Sequence, residues 1–200
     1  MARRLGRWAA ELALVFVGAY AAFWLNGYQE RQRNAERRDV ILASLEQGVR
    51  TAIDDARVKA DAIGKEATAF RHRIEAGEMP ALPPFVFITD YSATDLATLL
   101  QAGGEELLDP KTVSALRRAE SLLRARLALM ARYEKLSDQL IVPNVEQGPE
   151  FFYDPATKKL RKRFEHYPQS LEDAAQFFRD FEKAETELLK QLELERRKHK

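Results

Sequence analysis

The residues that could carry chemistry in this 200-residue chain are few. His72, His166 and His199 are the only histidines, and none has a second ligand at metal-binding spacing. His72 also stands between Arg71 and Arg73, whose charges would disfavour a cation. With no cysteine there is neither a disulfide framework nor thiolate chemistry. Gly103-Gly104 lacks the Lys-Ser/Thr that completes a phosphate loop and reads as a helix stop. No serine nucleophile elbow occurs. The abundant carboxylates lie in mixed runs such as 182–187, Glu-Lys-Ala-Glu-Thr-Glu, where solvated pairing with lysine and arginine is the ordinary outcome. The chain is therefore expected not to be an enzyme, with no catalytic, cofactor-binding or metal residue and no cofactor.

What remains is chemistry of contact. Glu11 lies within an apolar stretch, where a carboxylate is costly enough to be a functional candidate; its plainer role is a pair with Arg7, four residues back on the same helix face. Gly18 and Ala22 form a small-xxx-small pair, continued by Asn26, that would let a second helix approach closely. Lys158, Lys159, Arg161, Lys162 and Arg163 place five positive charges in six residues beside Phe164 and Tyr167, a basic patch suited to anionic headgroups or an acidic protein surface.

The first element that must position these residues is the stretch 8–28, WAAELALVFVGAYAAFWLNGY. It carries no charge from Leu12 to Leu25, and Glu11 alone over about 18 residues counted from Trp8, the lower end of the length a spanning helix needs. Trp8 on one side and Trp24 and Tyr28 on the other are expected to be interface anchors, and Arg3, Arg4 and Arg7 supply a basic flank. Ala19-Tyr20-Ala21 could instead serve as a signal-peptide cleavage site, but the apolar run continues past it to Leu25. Arginines lie on both sides of the stretch, and the three packed ones at the N-terminus favour an N-terminus in the cytoplasm and a periplasmic body, in a bacterial inner membrane.

Beyond the span, 46% hydrophobic and 32% charged residues occur together, the combination of long amphipathic helices, and the net charge of +1 points at no nucleic acid. Leu42, Leu45, Val49, Ile53, Ala56, Ala60, Ile63, Ala67, Phe70 and Ile74 step by three or four, which predicts one helix from about Leu5 to Ala76, about 100 Å long. Residues 29–41 make a charged helical stalk. Three prolines, Pro80, Pro83 and Pro84, break the helix, and residues 79–89 form a proline-rich connection ending in a short extended segment. A short helix over 93–102, capped by Ser92 with Asp95, is expected next. Asp109-Pro110 opens a helix whose stripe Val113, Leu116, Ala119, Leu123, Leu127, Met130, Leu136, Leu140 runs to about Val142. An Asp-Pro turn at 154–155 between an aromatic and a basic run predicts a small β-hairpin near 150–164. The last helix starts near Pro168 with Leu171, Ala174, Phe178, Phe181, Leu188 and Leu192 on one side. The predicted fold is mainly α: an N-terminal transmembrane helix (1–28) continuing into an elongated antiparallel helical bundle (42–200).

The basic N-terminus, the Glu11-bearing span with Gly18, Ala22 and Asn26, the Arg/Glu-rich stalk, and the run from Tyr91 to Gly103 before a capped helix together resemble a family of bacterial single-pass membrane proteins with no established activity. The resemblance covers about residues 8–140 and implies architecture and bacterial origin alone. Two roles fit these features. One is a bitopic accessory or structural subunit that braces a larger membrane complex, an energy-converting assembly being one setting. The other is an extracytoplasmic sensory module, which would need a second span that this chain does not offer: the uncharged stretch 79–89 is short and holds three prolines. The expected partners are membrane lipid and other membrane subunits, in a hetero-complex rather than a homo-oligomer, with no nucleic acid and no small-molecule substrate.

Overall fold

The computed structural model describes residues 2–86 and 104–198, with side chains from residue 14 onward. The fold is mainly α. Helix α1 runs unbroken over Ala2–Glu75, and none of Gly18, Gly27, Gly48 and Gly64 interrupts it. Its end is made by Gly77, which takes φ +76° so that its N–H reaches Ile74 O at 2.9 Å while the Glu78 N–H reaches Arg73 O at 2.9 Å. Those two bonds are the paired closure of a helix end by a left-handed glycine, so the helix stops before the prolines are reached. An Arg73–Glu78 ion pair at 2.7 Å lies across the same turn.

The proline-rich segment that follows has no ladder partner, yet it is partly buried, so its backbone groups need side-chain partners. They come from the bundle. The Tyr153 hydroxyl donates to Pro80 O (2.7 Å), the Tyr167 hydroxyl donates to Pro83 O (2.8 Å), and the Phe85 N–H donates to Ser137 Oγ (2.7 Å). Leu82 and Phe85 insert between the helices. The expected helix over 93–102 with its Ser92 cap lies outside the described residues.

After a 3-10 turn at Glu105–Leu107, helix α2 spans Pro110–Leu140, with proline at its first position where no N–H is needed. A 3-10 turn at Val142–Asn144 and a single helical turn α3, Pro149–Phe152, lead into the loop 153–161. Helix α4, Tyr167–Lys198, closes the fold. Each long helix buries the stripe that its sequence spacing marks, with Ala56, Leu116, Ala174 and Leu192 completely covered.

Two corrections to the sequence expectation concern topology. Cross-helix pairs fix α4 antiparallel to α1, through Arg71–Glu172, Arg57–Glu182 at 2.9 Å and Arg196–Asp39 at 2.9 Å. They fix it antiparallel to α2 as well, through Tyr133–Asp173, Arg126–Asp180 at 2.8 Å and Lys198–Asp109 at 3.1 Å. Helices α1 and α2 are therefore parallel to each other, and Phe85, which bonds to Ser137 near the end of α2, and Leu108, just before its start, lie toward opposite ends of the bundle. The second correction is the hairpin near 150–164, which reduces to one isolated antiparallel bridge, Tyr153 with Leu160. Successive strand residues point to opposite faces, whereas Phe152, Tyr153 and Phe164 all enter the core; a helical turn before the bridge and a 3-10 turn at Lys162–Phe164 after it satisfy that demand.

The core divides into two clusters. One contains Ala56, Phe70, Leu123, Met130, Tyr153, Phe164, Phe177 and Phe181; the other contains Leu42, Leu45, Val49, Ile53, Leu108, Leu116, Leu188 and Leu192. Along α4 the clusters are separated at Glu185, which occupies a core position of the stripe 181, 185, 188.

Candidate contact sites

The stretch predicted to span begins inside α1, but the side chains of Trp8 and Glu11 lie outside the described residues. From Leu14 onward every large apolar residue of the stretch is exposed: Leu14, Val15, Phe16, Val17, Tyr20, Phe23, Trp24, Leu25 and Tyr28, from 50% at Tyr28 to 84% at Phe23. Four consecutive residues, 14–17, already cover a full helix turn, so the apolar surface surrounds the axis rather than forming a stripe. No described part of the bundle covers it. Gly18 has open space where a Cβ would be, and Ala22 and Asn26 are exposed, so these three residues are free to meet another helix. Trp24 and Tyr28 stack with ring centroids 6.1 Å apart, placing two amphipathic rings at one level. Among the described residues, no helix is long and apolar enough to cross a membrane. The described side chains begin at Leu14 and so leave out the first part of the stretch 8–28.

All five cations of the basic patch, Lys158, Lys159, Arg161, Lys162 and Arg163, are exposed, and two of them are also held by contacts within the fold. Arg161 is structural: its Nε donates to Tyr153 O (3.1 Å) and a terminal nitrogen to Glu150 O (3.0 Å), tying the loop to α3. Arg163 lies over two rings, 4.3 Å from Phe151 and 4.7 Å from Phe164, a cation–π arrangement that shields the aromatic cluster. Lys158 adopts φ 55° in a turn fixed by Asp154 Oδ1, which accepts from the N–H groups of Ala156 and Thr157 at 2.9 Å each. Those N–H bonds hold the Asp154 carboxyl below its ordinary range.

The girdle and the patch are not brought together. The loop packs beside Gly77 at the far end of α1, and Glu75 lies 47 residues along the helix from Tyr28, about 70 Å of axis.

His72 is exposed beside Glu75, 3.7 Å away, and His166 is half-buried with its pKa lowered by burial. His199 lies outside the described residues. No group of three His, Asp or Glu side chains converges on a metal-sized site among the described residues.

Sequence reasoning misses the buried carboxylates. Glu195 is fully buried and accepts the Asp109 N–H at 2.9 Å, so α4 supplies the partner for the start of α2. Glu46 accepts from Arg196 at 3.0 Å, and each of these two glutamates keeps one buried oxygen without a partner among the described residues. Glu185 has no ion pair among them, and burial pushes its carboxyl up to about 7. A signal is present: positions 46, 185 and 195 all fall on the three-and-four spacing of their helix stripes.

Comparison with known proteins returned no match to any family model, curated protein or solved structure.

Proposed function

We propose that the protein is a non-enzymatic, bitopic membrane subunit: residues 8–28 cross the bilayer, and the helical bundle braces the extramembrane part of a larger membrane complex. The observation that carries this reading is the apolar girdle from Leu14 to Tyr28, exposed on all sides of a helix that continues without a break into the bundle. In water such a surface is unfavourable at about 25 cal/mol per Å², and a hydrocarbon layer removes that cost around the whole circumference. An unbroken helix also makes the link between span and bundle stiff, as a brace requires. The placement we favour is the inner membrane with the N-terminus in the cytoplasm and the bundle in the periplasm, because the opposite orientation would translocate a short tail with three packed arginines; the arginine count itself, three before the span and four after it, is nearly balanced.

Within lipid, leucine gains nothing from meeting another helix, so only close approach or polar contact selects a partner. Gly18, Ala22 and Asn26 are the candidates for the first, and Glu11, seven residues before Gly18 in the sequence, is the candidate for the second. Replacing Gly18 and Ala22 together with leucine keeps insertion favourable and fills the groove. The double variant is expected to remain in the membrane fraction but to lose its co-purifying partners in a mild-detergent pull-down read by mass spectrometry. Full retention of the partners would instead move recognition to the bundle, with the exposed basic patch, Arg161, Lys162 and Arg163 ahead of Lys158 and Lys159, as the first residues to test.

A further inference from the structure

We propose that Arg31, Arg33, Arg37 and Arg38 form a cationic collar that binds acidic phospholipid headgroups of the bilayer crossed by residues 8–28, a proposal that rests on the membrane reading above. The lower stalk stands free: from Tyr28 to Arg37 every residue is exposed, Arg38 is half-buried, and helix α4 reaches the stalk first at Asp39. Among the described residues Arg33, Arg37 and Arg38 have no hydrogen bond or ion pair, while Asp39, the acid that could offset them from above, is held by Arg196 at 2.9 Å. Glu30 and Glu36 leave the collar net positive. Arg33 and Arg37 are one turn apart, a like-charge spacing that weakens an isolated helix unless an anion lies between them.

Height fits the headgroup layer. Arg31 and Arg33 lie three and five residues above Tyr28, about 4.5 and 7.5 Å along the axis, and each headgroup layer is about 5–7.5 Å thick. Helical side chains lean toward the N-terminus, which in α1 is toward the girdle. Arg31 shows this directly: its Nε donates to Gly27 O at 3.0 Å, so the guanidinium hangs a full turn below its own Cα. Arg37 and Arg38 start about 14–15 Å above Tyr28, and the same lean brings their charges to within about a Debye length of the surface.

The distribution favours lipid over a protein partner. Arg31 and Arg38 share one side of the helix, and Arg33 and Arg37 lie on roughly the opposite side. A protein surface would engage one side, whereas a headgroup layer surrounds the axis as the girdle's hydrocarbon does. Guanidinium groups also match phosphate oxygens bidentately.

The test uses the purified full-length chain reconstituted into vesicles of phosphatidylcholine alone and of phosphatidylcholine mixed with phosphatidylglycerol. Retention after an alkaline carbonate wash reads insertion; phenylglyoxal modification followed by mass spectrometry reads arginine accessibility, with exposed Arg132 as the reference. Arg31 and Arg33 are expected to react at least about fivefold more slowly in the phosphatidylglycerol vesicles, the factor equivalent to about 1 kcal/mol per surface arginine. The difference should vanish in about 0.5 M salt. Inserted protein with equal rates in both vesicles overturns the collar and leaves the membrane reading standing. Protection seen only in native membranes overturns it in favour of an acidic protein partner. A chain washed out of both vesicles removes the membrane reading and the collar with it.

Discussion

Glu185 lies where the two core clusters meet, in a position that leucine would fill in an uninterrupted stripe. Arg57–Glu182 on the α1 side and Arg124–Glu120 on the α2 side satisfy their own charges, and neither supplies a cation to Glu185. Burial then favours the protonated acid, with a folded-state pKa of about 7 against the ordinary glutamate value of 4.5. The folded protein holds a proton that the unfolded chain releases, so stability from this group is full below about pH 4.5 and is lost as pH rises to about 7. Urea unfolding measured across that window is expected to show the loss, about 3 kcal/mol in full, and Glu185→Gln is expected to flatten it. A profile unchanged by the substitution would show that another group sets the slope. Ser137 gives a second prediction, because its hydroxyl accepts the buried Phe85 N–H at 2.7 Å. Ser137→Ala takes that acceptor away from a buried donor and is expected to cost about 1–3 kcal/mol in the same unfolding measurement.

The long helices are set by their stripes, but their ends are set by local backbone chemistry. Gly77 holds φ +76°, a conformation that costs an L-residue about 1–2 kcal/mol. Gly77→Ala is therefore expected to lower stability by about 1 kcal/mol even though the new Cβ would make only an ordinary van der Waals contact, with Lys158 Cδ at 4.0 Å. Thermal unfolding would detect that as a drop of a few degrees for a unit of this size. The loop 153–161 depends on one side chain in a different way. Arg161 links two backbone carbonyls across it while staying exposed, so one side chain both ties the loop and adds to the cationic surface.

At the scale of the molecule, no residue before Leu42 is buried among those described, so the two clusters belong wholly to the segment above the stalk. Removal of residues 1–27 therefore takes away no core residue among those described. The truncated chain is expected to be soluble and helical by circular dichroism, with the urea midpoint of the bundle unchanged. Precipitation or a largely non-helical spectrum would show that the bundle needs the bilayer or a partner to close. The parallel course of α1 and α2 adds a kinetic expectation of the same origin: docking of α2 is a closure between segments distant in sequence.

How much can be read from the residues alone follows from the range of the forces involved. The three long helices and their buried faces are legible, because three-and-four spacing of apolar residues is a local property that burial then rewards. The apolar girdle and its aromatic edge are legible for the same reason, being one unbroken run. The candidate site residues Gly18, Ala22 and Asn26 stand out in that run, and the fold leaves them open; the basic patch is exposed too, but the contacts of Arg161 and Arg163 with Tyr153, Glu150 and two phenylalanines are ones that no spacing rule encodes. A hairpin is the wrong expectation because local alternation cannot tell that Phe152, Tyr153 and Phe164 must all face one core. The buried glutamates escape notice because a charged residue in a stripe is ordinarily solvated, and the neighbouring helices are what deprive Glu46, Glu185 and Glu195 of their water. Order along the chain thus settles which surfaces are apolar and where each helix runs. The parallel pairing of α1 and α2 and the fate of those carboxylates come from the packed fold, because both depend on contacts between segments that lie far apart along the chain.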